Sequence, residues 1–227
     1  MSRTRALSFV AVVAASAVLL VGCAPESGPA PVDSGTPTPT AAETTAPAST
    51  KPPLGELVLS TEGLGILGIG AAPTTGSDAL VAFDNEACTA EGLPGLWLST
   101  YPNIDEGFGP QAPFTIALTG SNVSRVDVYT EQIFTDTGIH LGSSLDEVLG
   151  VYSGGPDQVL NHADVSDVYV IKGTKGQLQF EVAVDRIPDY WDPAVINTVV
   201  FLSAISLDTE PFGVAATDNL LGVCSNA

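Results

Sequence analysis

Few residues in this sequence have the chemistry of a catalytic centre. Its two histidines are His140 and His162, and a Ser-His-Asp arrangement can be drawn with Ser143 or Ser153 and Asp164. No Gly-x-Ser-x-Gly turn surrounds either serine, although this turn exposes the nucleophile in the α/β-hydrolases that carry it. Spacing alone does not select a triad, because triads are recognised by their geometry. We therefore predict no catalytic residues and no enzymatic activity.

Metal and phosphate sites are also not indicated. A zinc site needs three or four ligands, and the sequence has no HExxH motif and no cluster of histidines and cysteines. The acidic turns Asp84–Glu86, Asp105–Glu106 and Asp189–Asp192 do not match the calcium loop DxDxDG, which favours solvated turns. The glycine-rich run Gly63–Ala72 contains no GK[ST] motif. We expect neither a metal nor a cofactor.

The N-terminus has the pattern of an export signal. Arg3 and Arg5 precede the apolar run Ala6–Val21, which ends in Leu20-Val21-Gly22-Cys23. This ending matches the lipobox of bacterial lipoproteins, in which the cysteine thiol receives a diacylglycerol. The alternative, an uncleaved transmembrane anchor, usually needs about 20 apolar residues, and this run is shorter. The pattern therefore predicts a signal peptide over residues 1–22 and lipidation at Cys23, which places the protein on the extracellular face of the cell membrane.

The other two cysteines are predicted to form a disulfide. Cys23 is assigned to the lipid, which leaves Cys88 and Cys224 as the remaining pair. Two cysteines in an exported protein usually pair, and neither belongs to a CxxC motif. Such a disulfide would connect the C-terminus to the first half of the folded domain.

The charge balance excludes several classes of partner. After removal of the signal peptide, five basic residues remain against 26 acidic ones. An acidic surface repels nucleic acid and anionic lipid, so the lipid on Cys23 must provide membrane attachment. The same balance suits a basic partner or Ca²⁺, but it is also typical of domains that are acidic for solubility.

Composition divides the rest of the chain into a tether and one domain. Residues 23–53 are rich in Ser, Thr, Pro and Ala, contain one large aliphatic residue, and are predicted to be a disordered tether. Residues 54–227 have the length and hydrophobicity of a single globular domain.

A turn followed by a short helix organises the domain. In Thr137–Tyr152, Gly142 permits a tight turn and Ser144 with Glu147 fits a capping box. Placing Gly70 on Gly142 aligns two similar segments 72 residues apart. We therefore predict two degenerate repeats, about 55–130 and 131–227, of which the first has a poorly formed helix.

Alternating hydrophobicity predicts the strands. The predicted strand segments are 57–59, 96–98, 114–118, 123–129, 168–171, 178–184 and 198–206. In the strand 178–184, Leu178, Phe180, Val182 and Val184 should face the core, while Gln179 and Glu181 should face water. The expected fold class is α+β, with a dominant antiparallel sheet and short helices.

Two loops combine aromatic and acidic residues. Tyr101 and Phe108 belong to the loop 101–110, and Tyr190 and Trp191 belong to the loop 189–193. Exposed rings supply contact area at binding sites, which makes these four residues the predicted binding surface. The alternative is that Trp191 and Phe108 fold back over small cores.

Several of these features together resemble a known family. They are the lipobox, the tether, Gly63–Gly70 followed by Cys88, Thr135–Tyr152, and Gly176–Val182. The combination resembles an uncharacterised lipoprotein family of high-GC Gram-positive bacteria. The turn-helix repeat is more distantly similar to SmpA/OmlA-type lipoproteins and to the repeats of the β-lactamase inhibitory protein. The resemblance implies short helices on a curved antiparallel sheet and transfers no catalytic residues; Ser153–Pro156 departs from the family's usual Tyr-Gly ending.

The sequence therefore predicts a surface lipoprotein whose non-enzymatic domain binds an envelope protein, peptide or glycan, and no nucleic acid. One alternative is a structural or accessory subunit of an envelope complex, and another is an enzyme of unrecognised type. A pocket where a histidine converges with carboxylates would favour the enzyme. Exposed aromatic rings on one face would favour the binding domain, and a large apolar patch would favour the subunit.

Overall fold

A computed structural model describes residues 51–76, 79–87, 95–105 and 111–214. The predicted signal peptide and nearly all of the tether lie outside these residues, as do Cys23, Cys88, Phe108 and Cys224. The lipidation and disulfide assignments therefore remain predictions.

The described residues form two sheets. The strands are β1 (Val58–Ser60), β2 (Gly63–Leu64), β3 (Leu67–Gly68), β4 (Val81–Asp84), β5 (Leu96–Ser99), β6 (Phe114–Thr119), β7 (Asn122–Val128), β8 (Phe134–Thr135), β9 (Gln158–His162), β10 (Ser166–Lys172), β11 (Gly176–Ala183) and β12 (Val199–Ser206). One α-helix, α1 (Leu145–Val151), and two 3₁₀ turns, Leu54–Glu56 and Pro193–Val195, accompany them. The predicted sheet-dominated, largely antiparallel fold is confirmed.

The larger sheet consists of two meanders placed side by side. Its strand order is β4-β5-β6-β7-β12-β11-β10-β9, and all neighbouring strands are antiparallel. The meanders meet where β7 pairs with β12, from Val128 opposite Leu202 to Arg125 opposite Ile205. The smaller sheet has the order β3-β2-β1-β8, and its β1–β8 pair is parallel.

The main core lies on one face of the larger sheet. Strand alternation places Val126, Phe180 and Leu202 on this face, and all three are buried. Leu59 of the small sheet and Val148 of α1 join the same cluster from the opposite side. Burial of each large aliphatic or aromatic side chain contributes about 1.5–3 kcal/mol, so this cluster is the main source of stability.

Strand β11 is buried on both faces, which corrects the expectation that Gln179 and Glu181 face water. They are only 4% and 2% exposed. The chain that follows β12 crosses this face: the Phe212 N–H donates to Gln179 Oε1 at 2.9 Å, and the Val214 N–H donates to Glu181 Oε2 at 2.6 Å. The Ser166 hydroxyl donates to the other oxygen of Glu181. The two polar side chains thus serve as internal anchors for the C-terminal segment.

Helix α1 begins where the capping box predicts. The Ser144 hydroxyl accepts from the Glu147 N–H at 3.3 Å, and the Ser144 N–H donates to Glu147 Oε2 at 2.7 Å. The i, i+3, i+4 and i+7 spacing of Leu145, Val148, Leu149 and Tyr152 predicts one apolar helix face. In the structure Val148 is buried, Leu145 and Tyr152 pack partly buried against the core, and Leu149 is 40% exposed. No helix within the described residues has the length and apolar character needed to cross a membrane.

The capping box predicts a measurable contribution to stability. Ser144→Ala should lower the free energy of unfolding by about 1 kcal/mol, because the first turn loses a hydrogen-bond acceptor. Urea denaturation provides the measurement. Ser153→Ala, at an exposed position just after the helix, is the matched control and should leave the midpoint unchanged. Equal effects of the two substitutions would contradict the capping role.

Candidate binding cleft

A cleft forms where β7 and β12 separate. The pairing of β7 with β12 ends at Val128 and Leu202. On its other side the chain stays paired one residue further, because the Tyr129 N–H donates to Pro113 O at 2.9 Å. Strand β12 begins at Val199, three residues before its pairing with β7 starts at Leu202. At Val199 its hydrogen-bond partners come from the Gly142–Ser143 turn instead. The Val199 N–H donates to Ser143 O, and the Gly142 N–H donates to Val199 O, each at 2.8 Å. The space left between these two partners of β12 is the cleft.

The cleft is half-open to solvent and has a volume of about 450 Å³, within the range of small-molecule and side-chain pockets. Its lining is mainly apolar. The apolar and aromatic contributors are Val128, Tyr129, Leu141, Trp191, Val195, Val199, Val200 and Phe201. The polar contributors are Gln111, Glu131, Asp192 and Thr198, together with the backbone of Gly142. This composition suits an apolar group with a few polar contacts.

Gly142, whose backbone forms part of the cleft wall, has a conformation that favours glycine. Its φ of +85° lies in the left-handed region, which side chains disfavour. A Cβ at this position would lie 3.6 Å from Glu131 Oε1, so the Glu131 carboxylate approaches the backbone of the turn closely. The sequence indicates only a tight turn at Gly142, whereas the structure also places Leu141 and Gly142 in the wall of the cleft.

Trp191 is held in a fixed orientation at the cleft. Its Nε1–H donates to Val165 O at 2.7 Å, and its ring packs edge-on against Tyr190, with 5.2 Å between the centroids. A bidentate pair at the start of the same loop joins Arg186 to Asp167, with N···O distances of 2.8 and 2.6 Å. The hydrogen bonds from Arg186 lower the pKa of Asp167, although partial burial opposes the shift. The loop is thus anchored at two points.

Tyr101 does not contribute a surface ring, which corrects the predicted binding surface. It is 9% exposed, and its hydroxyl donates to Pro52 O at 2.6 Å. Its ring packs against Phe114, with 5.9 Å between the centroids, and the Lys51 ammonium lies 4.3 Å from the ring centre. Burial raises the pKa of this tyrosine. The residues just before β1 cover it, and the sequence pattern of the loop did not indicate that contact.

The four predicted binding residues therefore have different positions. Trp191 lines the cleft and also packs against the small buried cluster of Val165, Phe201 and Val214, so the alternative that it folds back over a small core is confirmed for this residue. Tyr190 is 36% exposed beside it, Tyr101 is buried elsewhere, and Phe108 lies outside the described residues. Sequence reasoning missed Val195 and the Val199–Phe201 run. The sequence does contain a signal for the Val199–Phe201 run. Successive strand residues point to opposite faces, so three consecutive large apolar residues indicate that both faces of the strand are covered or form a binding surface.

Neither histidine lines the cleft. The His140 Nδ1 lies 2.6 Å from Leu141 O, and its ring packs on Phe134 with centroids 4.7 Å apart. The ring of His162 packs against the backbone of Gly213. Within the described part of the chain, no group of three or more His, Cys, Asp or Glu residues is placed to hold a metal ion.

Comparison with known proteins adds little to this picture. No family model and no curated protein matches the sequence. Among solved structures, the chain is similar to the uncharacterised protein YfeY from Escherichia coli, with a TM-score of 0.39 and 15% sequence identity. The match covers 66% of this chain and 99% of YfeY.

The loop anchor predicts a pH-dependent environment for Trp191. Because the pKa of Asp167 is lowered in the folded protein, its pairing with Arg186 stabilises the loop fully above the ordinary carboxyl pKa of about 3.9. That contribution is lost as the pH falls through the lowered value. Asp167→Asn in a Trp97→Phe background should therefore shift the Trp191 emission to longer wavelength at neutral pH, as measured by fluorescence. Asp189→Asn, at an exposed position in the same loop, is the control and should cause no shift.

Proposed function

We propose that this chain is a surface lipoprotein whose domain binds another molecule of the cell envelope in the β7–β12 cleft, without catalysing a reaction. The observation that carries the proposal is the half-open apolar cleft beside an anchored Trp191. Exposed apolar concavities of this size are typical of ligand sites rather than of unused surface.

Preorganisation of the cleft supports binding. One wall is held by the hydrogen bonds between Val199 and the Gly142–Ser143 turn, and the other contains Trp191, which is bonded to Val165 O. Groups that are already ordered lose little conformational entropy when a ligand binds.

The lining favours binding over catalysis. The described residues that line it include no histidine, serine, cysteine or lysine, and the hydroxyl of Thr198 is engaged with Val195 O at 2.7 Å. A covalent mechanism needs a nucleophile with an adjacent base, and this lining offers none in that arrangement.

The proposed location comes from the N-terminal sequence. The signal peptide of residues 1–22 and the lipobox at Cys23 support attachment to the extracellular face of the membrane. The tether of residues 23–53 would hold the domain away from the bilayer. In this compartment the Cys88–Cys224 disulfide proposed from the sequence would be stable.

We also propose that the two meanders are degenerate repeats. Matching backbone hydrogen bonds support this proposal. In the first half, the Gly70 N–H donates to Val123 O and the Val123 N–H to Ala71 O; in the second half, Gly142 and Ser143 make the same two bonds with Val199. All four distances are 2.8 Å. The φ angles of Gly70 and Gly142, +80° and +85°, also agree.

A second function, that of an accessory subunit in an envelope complex, is favoured by the outer face of the small sheet. Val58 and Phe134 are paired across β1 and β8 and are 45% and 41% exposed. Adjacent exposed apolar residues on a sheet face are typical of a protein contact.

Photocrosslinking in the living cell separates these two functions. The full lipidated chain would carry p-benzoylphenylalanine in place of Val195, in the cleft, or in place of Phe134, on the small sheet. The control position is Val159, which is 49% exposed on the outer strand β9. Binding in the cleft predicts a discrete adduct from position 195 alone. An adduct from position 134 alone would support the subunit function and contradict the cleft.

A further inference from the structure

We infer that the cleft binds a neutral N-acetylated amino sugar and that the side-chain amide of Gln111 recognises its acetamido group. This inference rests on the proposed binding function and specifies the chemistry of the ligand. It follows from a buried amide in the lining, from the apolar surface around the rest of the cleft, and from the bonded backbone groups at its borders.

Gln111 brings a polar side chain into the cleft wall without a protein partner. The residue is only 8% exposed and belongs to the lining. Its main-chain groups are engaged, since its N–H donates to Ile104 O at 2.8 Å and its C=O accepts from the Ile104 N–H at 2.9 Å. Within the described part of the chain, its side-chain amide forms no hydrogen bond, and neither amide atom is sealed from solvent. The amide is therefore a donor and an acceptor that a ligand can reach.

The Gln111 amide restricts what can fill the cleft. A ligand that covered this amide with hydrocarbon alone would remove its water and return no hydrogen bond, which is unfavourable. This argues against a lipid acyl chain as the occupant. The ligand must instead carry a group that accepts from the amide N–H or donates to the amide carbonyl, and an amide on the ligand can do either.

The remainder of the lining is mainly apolar and favours an acetamido group over a hydroxyl. Leu141, Val195 and Val200 contribute aliphatic surface. Trp191 contributes aromatic surface, because its Nε1–H is already bonded. An acetamido group carries a methyl group next to its amide, so its two parts match the apolar surface and the Gln111 amide. The C–H groups of the sugar ring suit the electron-rich face of an aromatic ring. A hydroxyl in place of the acetamido group would press a polar atom against the apolar wall.

The charge of the protein favours a neutral ligand. None of the described residues that line the cleft is basic, and the mature chain has five basic residues against 26 acidic ones. A ligand with phosphate, sulfate or carboxylate groups would meet no cation in this lining and would be repelled by the overall field. An N-acetylated amino sugar carries no charge, so its recognition does not depend on an ion pair.

The backbone at the cleft borders argues against a peptide that binds as an added strand. Such peptides bind through free main-chain groups at the edge of a sheet. At one border, the Val199 N–H and C=O are both bonded to the Gly142–Ser143 turn. At the other, the Tyr129 N–H donates to Pro113 O. Recognition at these borders therefore falls to side chains, which suits a compact sugar residue.

The test compares three trisaccharides that share one linkage and differ in one substituent of each ring. Triacetylchitotriose carries acetamido groups, cellotriose carries hydroxyls, and chitotriose carries ammonium groups. Each is titrated into the full mature chain with Trp97→Phe, so that the emission reports Trp191, the second of the two tryptophans. We expect triacetylchitotriose to bind about tenfold more tightly than cellotriose, because it alone supplies the amide. Binding of chitotriose should be weak and should disappear on addition of salt.

Substitutions locate the interaction at Gln111. Gln111→Met retains the length of the side chain and removes the amide, so it should weaken triacetylchitotriose about tenfold and leave the affinity for cellotriose unchanged. Gln132→Met, at an exposed position outside the cleft lining, is the matched control and should have no effect. Val195→Trp should fill the cleft and weaken triacetylchitotriose, whereas Val159→Trp on β9 should not. Saturation-transfer NMR needs no substitution, and the acetamido methyl protons should receive the largest saturation from the chain.

The outcomes separate this inference from the proposed function. Equal binding of triacetylchitotriose and cellotriose, sensitive to Val195→Trp, would overturn the role of the acetamido group and leave the binding cleft intact. Tightest binding of chitotriose would show that charge selects the ligand, and the inference would be wrong. If no trisaccharide binds but position 195 gives a discrete protein adduct in cells, the ligand is a protein and the sugar inference fails alone. If no trisaccharide binds and position 195 gives no adduct, both the inference and the proposed function fail.

Discussion

The pairing of Val199 with the Gly142–Ser143 turn is the contact on which the second half of the domain depends. Two 2.8 Å backbone hydrogen bonds fix the start of β12 against the turn. A third, from the Leu145 N–H to Asn197 O, ties the first residue of α1 to the same segment. Since Val148 of α1 reaches the main core only from this position, the turn sets both the place of the helix and the course of the central strand.

The same contact explains why a cleft exists beside a well-packed sheet. Strand β12 exchanges one partner for another along its length, from β7 to the turn, and the exchange leaves a gap at Val200 and Phe201. The gap stays open because its borders are held independently. Val199 is fixed by the turn, and Trp191 is fixed by its bond to Val165 O. Neighbouring side chains close a void in a core only when they can move into it. Here the residues on both borders are fixed by hydrogen bonds, so the space beside Val200 and Phe201 stays open.

Local signals in the sequence predict local structure well. The Ser144–Glu147 capping box and the glycine at Gly142 each act within a few residues, so the helix start and the turn are confirmed. Strand alternation likewise predicts which residues of β11 face the main core. Burial of Gln179 and Glu181 could not be predicted in this way, because it depends on chain more than 30 residues later. Tyr101 is covered by Pro52 from the opposite direction along the chain.

The cleft lies where the proposed repeat symmetry is broken. Aligning Val123 with Val199 places Arg125 at the position of Phe201. At this position in the first repeat, the Arg125 guanidinium is paired with Asp127 and lies 4.4 Å from the centre of the Phe212 ring, so the site is occupied by the chain's own charged and aromatic groups. In the second repeat, Phe201 is 6% exposed, packs in a small cluster with Val165 and Val214, and contributes to the wall of the cleft. Both positions thus lie beside the C-terminal segment, which contributes Phe212 in the first copy and Val214 in the second.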